Sequence, residues 1–88
     1  MRPENKKMQE FLKSHGIKAT PKYLAKGSMK GCWRIYNNKL RWTEEISEKL
    51  ELIGFKDFDG KPLNRFSGNG GVFQIFSRNN ELTKQFVL

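Results

Sequence analysis

One cysteine, Cys32, and one histidine, His15, are the whole stock of thiol and imidazole in this chain of 88 residues. A disulfide takes two cysteines and a tetrahedral zinc site takes four ligands, so neither staple can close within one chain. Small secreted domains usually carry several disulfides, and the sequence therefore reads as a protein of a reducing, cytoplasmic compartment. An apolar core must hold the fold, although only 36% of the residues are hydrophobic. Folding at this length hides only roughly 60–65% of the unfolded chain's surface. That suffices for one modest core, so residues 1–88 read as a single domain. The 12% aromatic share is more than a disordered, solvated chain carries. No apolar run approaches the roughly 18 residues of a membrane span, and no apolar signal segment follows Met1–Lys7.

The formal net charge is +8, from 17 Lys and Arg against 9 Asp and Glu, and it is unevenly spread. Residues 1–31 hold eight cations and two anions, a net +6, whereas residues 32–88 hold nine and seven, a net +2. Glu44, Glu45, Glu48 and Glu51, against Lys49, form a locally acidic stretch. An anionic partner should meet the first helix, the hairpin or a sheet face bearing Arg34 and Arg78, and avoid the acidic stretch. Reversing Lys6, Lys7 and Lys13 should then weaken binding more than reversing Lys49.

Met8, Phe11, Leu12 and His15 recur at i, i+3, i+4 and i+7, which predicts a helix over residues 3–15. Pro3 suits its first turn and Gly16 its C-terminal end. His15 reads as a capping or half-buried side chain in the last turn. Two extended runs, Ile17–Ala25 and Gly31–Tyr36, flank a turn containing Gly27 and predict a hairpin. Pro21 has no N–H, so the first run lies at a sheet edge or begins after the proline. In the second, Trp33 and Ile35 face the core, and Cys32, Arg34 and Tyr36 face the other way. Asn37-Asn38 reads as a turn.

Thr43 as a cap, Trp42 as a staple and Glu44 and Glu45 at the positive helix end predict a second helix over residues 44–53, stopped by Gly54. Its glutamates form a solvated face, or else a face that repels nucleic acid or meets a basic partner. Phe55–Phe58 precedes an Asp59-Gly60 turn, and Val72–Arg78 is the strongest strand by β-branched and aromatic content. The tail from Asn79 to Leu88 either docks as a short element or frays. The expected fold is α+β in the order α-β-β-α-(β)-β. Two helices would pack on one face of an antiparallel sheet of three to four strands.

Little in the chain suggests catalysis. His15 and Cys32 lie in different elements, and Asp57 and Asp59 beside Gly60 lack the rest of a calcium loop. No catalytic residue, metal ligand or cofactor is assigned. A small metal-independent nuclease using His15 stays open as a distant third reading. Ser67–Gly71 runs into a strand rather than a helix, which favours a hairpin turn at Asn69-Gly70 over a phosphate loop. The opening Phe11-Leu12-Lys13-Ser14-His15-Gly16, followed by Lys26-Gly27-Ser28, resembles over the first third of the chain the HicA-type small RNase toxins of double-stranded-RNA-binding-domain-like fold. That family's catalytic histidine follows the Gly-Ser pair. Met29 stands there in this chain, so the resemblance implies no RNase activity.

Basic residues interleaved with aromatics remain. If the helices cover the Trp33, Ile35, Phe73 and Ile75 side, the opposite side carries Cys32, Arg34, Tyr36, Gln74, Phe76 and Arg78. Tyr36 and Phe76 could stack on bases, with Arg34, Arg78 and Lys22 against phosphates. Alternatively, the tail or residues 55–66 cover that side and bury Phe76. Lys6, Lys7 and Lys13, with Lys26 and Lys30, form a second candidate surface for a phosphate backbone, unless they merely solvate a helix. These residues read as a non-enzymatic binder of nucleic acid, DNA or RNA. The rival reading is a small regulator or inhibitor of the phage or mobile-element kind, docking on an acidic protein through its charge and an apolar Phe86-Val87-Leu88 patch.

Overall fold

The structure, a computed structural model, describes residues 1–36, 44–63 and 74–87. The elements run α1 (Pro3–Ser14), β1 (Thr20–Tyr23), β2 (Trp33–Tyr36), α2 (Glu44–Leu52), β3 (Lys56–Asp57), β4 (Gln74–Arg78) and α3 (Asn80–Phe86). The strands form one antiparallel sheet in the order β1-β2-β4-β3. This is a small α+β domain. Its shortest dimension, 21 Å, is about what one sheet and one layer of helix occupy.

Local chemistry explains the helix ends. Pro3 opens α1, where a missing N–H costs nothing. Gly16 closes it at φ +76°, with the amides of Gly16 and Ile17 donating to the carbonyls of Lys13 and Leu12. Gly54 repeats the device after α2 at φ +101°, and Phe55 N–H donates to the Leu50 carbonyl. The expected cap and staple at Thr43 and Trp42, the Asn37-Asn38 turn and the Ser67–Gly71 loop lie outside the described residues, as does Phe73.

The hairpin forms with Pro21 inside β1, and β1 is an edge strand, where a residue without an N–H is tolerated. Trp33 and Ile35 are fully buried. They share one cluster with Met8 and Leu12 of α1, Leu50 of α2 and Leu82 of α3, so the apolar faces of the helices gather on the Trp33/Ile35 side of the sheet. The expected two helices are in fact three. Asn79 caps α3, its Oδ1 accepting from Leu82 N–H at 3.1 Å and its Nδ2 donating to the Ile53 carbonyl at 3.0 Å. Trp33 Nε1 donates to Thr83 Oγ1 at 2.9 Å, and Phe86 and Val87 pack against the core. The tail therefore does not cover the Arg34 side of the sheet; of residues 55–66, Phe58 reaches Arg78 through its carbonyl, and residues 64–66 lie outside the described residues.

Candidate functional site

Strand pairing decides which candidate side chains meet, because register partners in an antiparallel sheet project to the same face. Lys22 pairs with Arg34, and Arg34 pairs with Phe76. A cation, a second cation and an aromatic ring therefore stand in a row across three neighbouring strands. Tyr36 and Gln74 form the next pair on that face. Arg78 follows Phe76 by two along β4 and pairs with Lys56. Lys22 and Lys56 are exposed, and Arg34, Tyr36, Phe76 and Arg78 are half-buried.

Arg34 is held in place. Its Nε donates to Gln74 Oε1 at 2.8 Å, and its guanidinium carbon lies 4.4 Å from the centroid of the Tyr36 ring. That stacking is a cation–π contact. It occupies one face of the ring expected to be free for a base. Tyr36 thus positions Arg34, and Phe76 is left as the aromatic surface of the row. Phe76 belongs neither to the core cluster nor to the side chains packed against it.

Arg78 is also engaged. Its Nε donates to the Phe58 carbonyl at 2.7 Å, and its side chain passes so close to Gly31 that a Cβ there would stand 2.9 Å from Nη1. Gly31, at φ +89°, is the residue type this approach requires. Cys32 corrects the expected platform: it is fully buried and offers no surface. Burial pushes its thiol pKa up, the Arg78 charge opposes that shift and the Asp57 charge adds to it.

The second candidate surface is split. Lys6, Lys7, Lys13, Lys26 and Lys30 are all exposed. Tyr23 N–H donates to Asn5 Oδ1 at 2.8 Å, which sets the N-terminal end of α1 against the hairpin. Lys6 and Lys7 lie at that end, and Lys13 lies about 10 Å farther along the axis. Glu10 shares the solvent side of α1 with all three, four residues after Lys6, three after Lys7 and three before Lys13. Helix α1 packs on the Trp33/Ile35 side, so its lysines take no part in the strand register that gathers the Arg34 face. The structure brings Lys22, Arg34, Tyr36, Phe76 and Arg78 together, and does not join them to Lys6, Lys7 and Lys13.

Sequence reasoning overlooked Lys56 and underused Gln74. Lys56 sits in a strand of two residues, whose pairing with Arg78 no alternation pattern could reveal. Gln74 is recognisable only once the register sets it across from Tyr36.

His15 caps α1. Its Nδ1 lies 3.0 Å from the Phe11 carbonyl oxygen and its ring 4.5 Å from that of Phe11. Among the described residues, no group of three or more His, Cys, Asp or Glu side chains is placed to hold a metal ion, and no helix is long and apolar enough to cross a membrane. No family model matches this chain, and neither curated proteins nor solved structures provide a match.

Proposed function

We propose that the protein binds nucleic acid without acting on it chemically, and that the Arg34 face of the sheet carries the contact. The observation behind this reading is the row Lys22, Arg34 and Phe76 across β1, β2 and β4, extended by Arg78 and Lys56. Among the described residues, no strand residue contributes a carboxylate to this face. The one strand acid, Asp57, pairs with the buried Ser77 and so belongs to the opposite side. Clustered cations meet phosphates and release condensed counterions, a sequence-independent attraction that weakens as salt rises. Lys26 and Lys30 are exposed in the connection between β1 and β2.

The rival reading, a protein-binding regulator, keeps its electrostatic argument and loses part of its apolar one. Phe86 and Val87 pack against the core, which leaves little of an apolar tail to offer a partner. A titration of labelled DNA and RNA with the intact protein at rising salt tests the proposal. The affinity should fall steeply and log-linearly with salt concentration, with a slope of about −0.7 to −0.9 per phosphate contact. Absence of binding to either polymer at low salt overturns it.

A further inference from the structure

We infer that the Arg34 face of the sheet takes a single-stranded polynucleotide, with one base stacked on Phe76 and neighbouring phosphates on Arg34 and Lys22. The inference rests on the nucleic-acid reading above and gives it a strandedness and a footprint.

Shape disfavours an undeformed duplex. The major groove of B-DNA is about 12 Å wide and admits a helix or a two-stranded ribbon. Four strands at about 4.8 Å spacing span about 14 Å between their outer axes, before any side chain is added. The face is too broad for that groove, and a duplex that kept its B form would meet it with its backbone. Reaching Phe76 from a duplex would take unstacking and bending at a cost of a few kcal/mol per step, which a single strand does not incur.

Chemistry favours an unpaired base. Phe76 is half-buried and lies outside the core cluster, on the sheet face opposite Trp33 and Ile35. Its register partner Arg34 is already oriented by Gln74 and Tyr36, which lowers the ordering cost of meeting a phosphate. Stacking on an aromatic ring tolerates every base, and one ring gives one stacked position. The second ring, Tyr36, has a face covered by the Arg34 guanidinium 4.4 Å from its centroid. A short footprint with little sequence preference follows.

Fluorescence anisotropy with the full chain tests this, using oligothymidylate and oligouridylate of about 12 nucleotides and a duplex of matching length at about 50 mM salt. At least one single strand should bind more than about tenfold tighter than the duplex, and the better of the two identifies DNA or RNA as the source of the strand. Phe76→Ala should weaken single-strand binding roughly 5- to 100-fold. Phe76→Leu keeps apolar bulk at that position and should weaken binding too, whereas Phe76→Tyr should retain it. Duplex binding as tight as single-strand binding overturns the inference and leaves nucleic-acid binding standing, as does wild-type affinity in Phe76→Leu. Failure of all three probes removes both.

Discussion

Cys32 shows how one residue can be read correctly in the strand pattern and wrongly in its surroundings. Alternation along Cys32–Tyr36 assigns the thiol to the face of Arg34, but chain passing overhead is invisible to alternation. The hairpin closes beside it, with Leu24 N–H donating to the Cys32 carbonyl at 2.9 Å, and Arg78 crosses the neighbouring Gly31. The buried thiol is protected from reagent. A thiol-specific dye should label the native protein far more slowly than the unfolded chain, and equal rates would contradict the burial. The raised pKa also fixes a pH dependence. Above about pH 8.5 the unfolded chain's thiol ionises while the folded one stays protonated, so Cys32 withdraws stability as pH rises through that range. Cys32→Ala should flatten the alkaline fall in melting temperature. An unchanged alkaline profile would show that the fall arises elsewhere.

Among the elements, those with a strong internal period were legible and those held by distant partners were not. Helix α1 could be read from Met8 and Leu12 with Pro3 and Gly16 at its ends, and β2 from the alternation of Trp33 and Ile35. Helix α3 has seven residues, too few to be stable alone. It exists because Asn79 caps it while bonding the Ile53 carbonyl, and because Trp33 Nε1 reaches Thr83. The cap is local, but the links to Ile53 and Trp33 join residues far apart in sequence, which no local pattern signals. Asn79 is 2% exposed, and the nearest atom to a Cβ built on Gly54 would be its Nδ2 at 3.3 Å. Asn79→Ala should therefore cost about 1–3 kcal/mol, from the lost cap and the stranded Ile53 carbonyl. In a domain of this size that lowers the melting temperature by about 4 °C or more. A melting temperature equal to wild type would mean that α3 is not held through Asn79.

At the scale of the whole molecule, the basic excess resolves into surfaces that linear counting cannot separate. The N-terminal third carries the larger net charge, yet its helix lysines flank Glu10 on α1 and lie outside the strand register of the sheet face. The residues gathered on that face come from β1, β2, β3 and β4, spread from Lys22 to Arg78. Arg34, Tyr36, Phe76 and Arg78 were identifiable as a set because alternation assigns faces. Lys22 joins them already as a neighbour in the hairpin, whereas the addition of Lys56 and the separation from Lys6, Lys7 and Lys13 depend on register and strand order. The acidic helix α2 contributes its apolar Leu50 to the Trp33/Ile35 side, so its exposed glutamates do not oppose an anion on the sheet face. The most direct measurement is a backbone amide NMR titration of the intact protein with a short single-stranded oligonucleotide. The account predicts salt-sensitive shifts concentrated at Lys22, Arg34, Phe76 and their strand neighbours, with α1 and α2 nearly silent. Shifts confined to the exposed side of α1, or none at low salt, would contradict it.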